Sequence, residues 1–213
     1  FAYEIESQPS ATNFKFFESN DELMSSWLRD ETTDATNPKW QYELNYKKQF
    51  KNNEDHTLQF SALGNFFGKD QSSQFINTKR SGSDMNSDHQ TETDFLQADY
   101  TFQLDYTDPL NKEYTIETGS QYVINDVGND YEVRDLINGA YFTNEKLTNN
   151  FEYNQKVLGV YATGAYEKDK WGLKAGLRVE NTSLNTLLTN TDESNSTNFT
   201  NFFPSLHTSY KVS

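Results

Sequence analysis

The chain has 213 residues, of which 34% are hydrophobic, yet 15% are aromatic and the net charge is −14. That ring content excludes a disordered acidic chain, which is poor in aromatics, and the acidity argues against nucleic-acid binding, which needs clustered Lys and Arg to neutralise phosphates. Without cysteine, neither a disulfide framework nor a thiolate metal site is open to it.

No run approaches the roughly 20 apolar residues of a spanning helix, and no signal peptide is recognisable. A membrane role therefore falls to strands. Phe1, Tyr3 and Ile5 alternate like the end of one. The stretch 19–38 is polar and acidic apart from Leu23, Met24, Trp27 and Leu28, whose spacing would also suit a short helix. It is expected to be an extracellular loop, so that 1–37 forms a strand end plus that loop.

From 40 to 50, Trp40, Tyr42, Leu44, Tyr46, Lys48 and Phe50, apolar but for Lys48, alternate with Gln41, Glu43, Asn45, Lys47 and Gln49. This period of two predicts a half-buried strand. A weaker alternation runs through Leu58, Phe60, Ala62, Gly64 and Phe66, and a clean one through Leu96, Ala98, Tyr100, Phe102, Leu104 and Tyr106. Tyr114, Ile116, Tyr122 and Ile124 continue it, then Trp171, Leu173, Ala175, Leu177 and Val179, then Phe202, Leu206, Tyr210 and Val212. Residues 151–166 are ambiguous because apolar side chains fall on both parities. About seven strands are expected over 38–213.

Tight connections are expected at 51–55, 108–113 and 168–170, alternating with long polar loops at about 70–92, 126–150 and 184–198. Short turns at one end and long loops at the other are the habit of a transmembrane barrel, with the turns on the periplasmic side. Phe50, Tyr106, Tyr114, Tyr166 and Trp171 flank the tight turns, where an aromatic girdle would sit. With Trp40 and Tyr46 they are the expected lipid-facing set. Glu43, Gln59, Asp99, Asp105, Glu117, Arg178 and Glu180 occupy the polar face, too many charges for the core of a small barrel but suited to a wide lumen.

Chemistry is sparse. Asp84-Met85-Asn86-Ser87-Asp88 opens like a calcium loop but has His89 at its sixth position and Phe95 at its twelfth, so the pattern fails. His56, His89 and His207 are isolated, and no nucleophile elbow or phosphate-cradling glycine loop occurs. The chain is expected not to be an enzyme and to need no metal or cofactor. Tyr131, Tyr141, Phe142 and Phe151, in or near the longest expected loop, are the candidate ligand contacts.

Three segments then carry a resemblance. They are Phe151-Glu152-Tyr153-Asn154-Gln155-Lys156-Val157-Leu158-Gly159-Val160-Tyr161, Ala175-Gly176-Leu177-Arg178-Val179-Glu180-Asn181-Thr182 and Phe203-Pro204-Ser205-Leu206-His207-Thr208-Ser209-Tyr210. Together with Gln97-Ala98-Asp99-Tyr100, Asp105 to Leu110 and Glu117-Thr118-Gly119, this succession resembles the C-terminal outer-membrane β-barrel of TonB-dependent receptors over about 38–213. The resemblance implies a barrel of about 22 strands around a plug domain, in the outer membrane of a Gram-negative cell. It also implies a small ligand (a chelate, glycan or peptide), outer-membrane lipid and the TonB system as partners. No plug domain or TonB box is recognisable in these residues, so the chain reads as part of such a barrel: an all-β, antiparallel up-and-down meander. The competing expectation is a secreted soluble β-sandwich, an adhesin or carbohydrate-binding module, which the sequons at Asn181, Asn195 and Asn198 would suit.

Overall fold

Ring-bearing and β-branched side chains at every second position favour extended backbone, because such residues pack well on a pleated surface. The computed structural model, which describes residues 1–51, 53–82 and 87–212, places them in one antiparallel sheet. Its strands are β1 Ala2–Phe17, β2 Leu23–Phe50, β3 Asn53–Ser81, β4 His89–Pro109, β5 Tyr114–Ile137, β6 Ala140–Thr143, β7 Asn149–Lys168, β8 Trp171–Leu188 and β9 Glu193–Tyr210. The spatial order is β1-β2-β3-β4-β5-β7-β8-β9, with β6 paired to β5. Every neighbour on this path is also the next long strand in sequence, which is a meander.

The three tight turns fall where the sequence places them, joining β2 to β3, β4 to β5 and β7 to β8. The Asn111 side-chain oxygen accepts from the backbone N–H groups of Glu113 and Tyr114 at 2.8 and 3.0 Å, closing the second turn. Asp169 supplies the left-handed residue of the third, at φ 54°.

The long polar loops are a correction. Strand pairing continues through most of 70–92, 126–150 and 184–198, and the loop expected over 19–38 is instead the upper part of β2, paired with β1 on one side and β3 on the other. The turn between β1 and β2 is confined to 18–22. These upper segments are rich in Ser, Thr, Asn and Asp on both faces, so they show no hydrophobic contrast to read. Their strands form because the neighbouring backbone supplies the hydrogen bonds, a tertiary effect that overrides weak local preference. Of the calcium-loop-like pattern, Asp84, Met85 and Asn86 lie outside the described residues, and the Asp88 carboxylate accepts the backbone N–H of Asn77 at 2.6 Å.

One hairpin inside the expected 126–150 loop has a clear local cause. Asn138 and Gly139 both have positive φ, 52° and 85°, as a two-residue turn matching the strand twist requires. Gly139→Val is therefore expected to strain the turn by about 1–2 kcal/mol. Amide exchange at Tyr141 and Phe142 should speed up while β4 amides keep their protection; unchanged exchange at both would show that the turn does not depend on Gly139.

Directly opposed residues in an antiparallel pair share a face, so the register sorts the side chains. On one face Trp40, Tyr42, Leu44 and Tyr46 lie opposite Phe66, Gly64, Ala62 and Phe60, which in turn oppose Ala98, Tyr100, Phe102 and Leu104. The Tyr42 ring covers Gly64, filling the gap that a bare glycine leaves in a sheet. These apolar side chains are not a closed core: Trp40 and Leu44 are each 58% exposed.

The apolar face steps diagonally across the sheet. On β4 it begins at Leu96, whose partner on β5 is Gly128, but on β5 it begins at Ile124. The partner of Ile124 on β7 is Lys156, and the run there begins at Leu158. The partner of Leu158 on β8 is Asn181, and the run there begins at Val179. A band that drops strand by strand against the register is what tilted strands crossing a level apolar slab produce. At the turn end, Phe50 stacks on His56 with ring centroids 4.1 Å apart, and His56 bonds to the Tyr106 hydroxyl at 2.9 Å. Tyr114 meets Tyr166 at 4.7 Å and Trp171 meets Tyr210 at 4.8 Å. At the other end of the band Trp40 packs edge-on against Phe1 at 5.2 Å, and Tyr46 sits mid-band opposite Phe60.

Candidate functional site

The opposite face carries the charge and is tied together by side chains that reach over a strand. Arg178 on β8 donates through Nε to Glu180 at 2.5 Å, and its Nη2 crosses β7 to reach Gln121 on β5 at 2.9 Å. It passes above Gly159, where a Cβ would lie 2.8 Å from that same nitrogen. Tyr161 on β7 likewise crosses Gly119 on β5 to donate to Asp105 on β4. Lys174 on β8 reaches Glu117 on β5 at 2.5 Å. Gln103 donates to Asp105 at 2.8 Å and accepts from Gln121 at 3.3 Å, while Asn125 and Gln97 both donate to Asp99.

Each of Asp99, Asp105, Glu117, Arg178 and Glu180 thus has a partner on this face. The arrangement braces four strands and leaves few of these groups free to grip a ligand. Among the described residues no cluster of three or more His, Asp or Glu could hold a metal ion.

Above the apolar band the same face continues to a rim. One register line runs Ser10, Glu31, Phe75, His89, Asp135, Phe142 across β1 to β6. The Phe75 and His89 rings stack at 4.4 Å. One pair further up, Arg29 lies opposite Asn77 and donates to its side-chain oxygen at 3.1 Å, with its guanidinium 5.0 Å from the Phe14 ring and 5.5 Å from Phe75. Trp27, buried, stacks on Phe14 and Phe16 at 5.4 and 4.9 Å.

Tyr131 and Phe151 lie lower on this face, on β5 and β7, and Phe142 ends the register line. Tyr141 sits on the opposite face, its hydroxyl 3.4 Å from the Gln74 amide. The four candidate ligand contacts are therefore split three to one, and none stacks on another among the described residues. Trp27, Arg29, Phe75 and His89 were not singled out from the sequence as a site. Their signal is a period of two in Phe14-Phe16, Trp27-Arg29 and Phe75-Asn77, which only the register joins.

On the other face of the rim, Arg134 donates to Glu132 at 2.6 Å and Glu92 at 3.1 Å, and Thr143 on β6 donates to Glu132 at 2.8 Å. The bonds from Arg134 and Thr143 hold the Glu132 carboxyl at about 2, far below its ordinary value. A lowered carboxylate stabilises the fold above its unfolded value, and that contribution disappears as pH falls toward 2. Protection of the β6 amides, taken relative to intrinsic exchange at each pH, should accordingly fall between about pH 4.5 and 2. Glu132→Gln should flatten that dependence, and a variant with the full pH dependence would remove Glu132 as its source.

The family model described as "Outer membrane protein beta-barrel family" matches residues 48–213. No curated protein sequence matches the chain. Among solved structures, the crystal structure of the ferric citrate transporter FecA in the unliganded form is similar, with a TM-score of 0.50 at 9% sequence identity over 89% of this chain. The match spans 26% of that chain, about a quarter of its length. At this identity the likeness concerns the fold, a large β-barrel.

Proposed function

We infer, because the chain belongs to the outer membrane protein beta-barrel family, that it is one wall of a receptor barrel which takes up a small ligand across the outer membrane. The chain lies in the outer membrane of a Gram-negative cell, as part of an all-β, antiparallel barrel. The observation that carries the reading is the pairing of two unlike faces: a diagonal apolar band for lipid, and a charged, internally braced face for a wide aqueous or plugged lumen. A passive soluble module has no use for exposed Trp40, Leu44 and Phe102 aligned in register. β9 exposes its free edge along its whole length, and an unpaired edge cannot face hydrocarbon. Further strands are therefore part of the reading, with a plug domain inside and the TonB system supplying energy, as in the receptors this chain resembles. The chain is proposed to bind and admit ligand and to catalyse nothing.

The test is uptake by cells carrying the intact receptor, using a panel of labelled chelates, glycans and peptides. Accumulation of one class that stops when the proton gradient is collapsed supports the reading. Accumulation that ignores the gradient would make this a passive pore, and no accumulation of any class would remove the transport role.

A further inference from the structure

We propose that the groove over the β4–β5 pair at the rim, between His89 and Tyr131, holds one neutral sugar ring by its vicinal hydroxyls. This rests on the receptor reading above and names its ligand class.

The register gives the groove its ends and floor. His89 and Asp135 are directly opposed at its upper end, Thr91 and Val133 form the next pair on the same face, and Tyr131, opposite Thr93, follows. Thr91 and Val133 are buried and make the floor. Four residues of strand separate Tyr131 from Asp135, about 13 Å of backbone. The volume is about 250 Å³, below the roughly 300–1,000 Å³ of pockets for drug-sized ligands. One six-membered ring suits that length and volume. Leu147 lines the groove from the side although it is 57% exposed. Its turn is fixed by the Asn144 N–H donating to the Val133 carbonyl at 2.7 Å and the Thr148 N–H donating to the Asn144 carbonyl at 2.9 Å. A leucine held exposed beside a polar groove offers an apolar wall to the C–H face of a ring.

The upper end presents two acceptors side by side. The Ser87 carbonyl lies 3.2 Å from His89 Nδ1. A carbonyl can only accept, so Nδ1 carries the proton and Nε2 of the neutral imidazole is an acceptor. Stacking on Phe75 at 4.4 Å holds the plane of that ring. Asp135 Oδ2 accepts from Asn144 at 2.6 Å, and Oδ1 has no partner among the described residues. Nε2 and Oδ1 together match two donors on neighbouring atoms, which a vicinal diol supplies. An ammonium would satisfy this end but leave the rest of the groove unused. There the hydroxyls of Thr91 and Tyr131, without partners among the described residues, can both give and take hydrogen bonds from further ring hydroxyls. A carboxylate would be repelled by Asp135.

The experiment is saturation-transfer NMR on the full-length receptor, in a detergent without a sugar headgroup, titrated with D-glucose, D-galactose, D-mannose, cyclohexanol and ethanolamine. At least one hexose should saturate, at least tenfold more tightly than cyclohexanol or ethanolamine. His89→Phe, which keeps a ring against Phe75 but removes Nε2, should weaken that hexose at least tenfold. Leu147→Ala, on an exposed turn, should weaken it two- to fivefold with the sheet intact. The proposal is overturned if no hexose saturates, if cyclohexanol or ethanolamine binds as tightly as the best hexose, or if both variants bind the hexose unchanged. A receptor with energised uptake of a chelate or peptide that binds no hexose overturns this site alone. Hexose binding that is lost in His89→Phe, without energised uptake of any class, overturns the transport reading alone.

Discussion

Phe102→Arg is expected to destabilise the folded barrel by roughly 2–4 kcal/mol, the penalty for a cation on the lipid side near the bilayer midplane. Phe102 is central to the β4 run from Leu96 to Tyr106 and is flanked in register by Ala62 and Tyr122. No carboxylate opposes it on that face, so the guanidinium would have to snorkel past the rings or drag water inward. The neighbouring Thr101 points to the charged face, near Asp99 and Glu43. Thr101→Arg is therefore expected to change stability by less than about 1 kcal/mol, as surface changes do. Denaturant titration of the full-length protein in lipid, followed by tryptophan emission, separates the two. Equal losses at 101 and 102 would mean that the two faces are not the lipid and lumen sides.

Gly119→Ala should cost about 1–3 kcal/mol, the usual penalty for forcing a methyl into filled space, while Gly164→Ala should be neutral or slightly stabilising. At Gly119 a Cβ would stand 2.6 Å from the Leu104 carbonyl oxygen and equally close to the Tyr161 hydroxyl. The side chain can swing away, but the backbone of β4 cannot. Moving Tyr161 also strips Asp105 of a donor on the polar face. Nothing lies within 4 Å of a Cβ built at Gly164, which shares the apolar face, and there the substitution mainly narrows the unfolded ensemble. Pairing Gly119→Ala with Tyr161→Phe should recover only part of the loss, because the carbonyl contact remains. Equal stability for the two alanine variants would contradict the bridging of β4, β5 and β7 through Tyr161.

The lower half of the sheet was legible because its two faces differ. Trp40 to Phe50, Leu96 to Tyr106 and Trp171 to Val179 each put rings and aliphatics on one parity, and the three tight turns follow from where those runs stop. The upper half was not. Around Thr32, Thr33, Ser72 and Ser73 both faces are polar, and where neither is apolar the hydrophobic pattern specifies no register. Asn138-Gly139 did carry a hairpin signal inside a segment expected to be a loop. The rim line from Phe75 through His89 to Asp135 draws on three strands whose pairing had to be seen. Tyr141 shows the same limit: one residue from Phe142 in sequence, it lies on the other face.

In the proposed barrel wall the even positions of β4 face lipid while the odd ones face the lumen. Because the chain has no native cysteine, single cysteines at each position from 96 to 106 in the full-length protein can carry spin labels in bilayers. Labels at Leu96, Ala98, Tyr100, Phe102, Leu104 and Tyr106 should collide with oxygen dissolved in the lipid, and those between them with a water-soluble nickel chelate. A scan in which the even positions meet neither quencher would place them in a dry protein core and contradict the barrel wall.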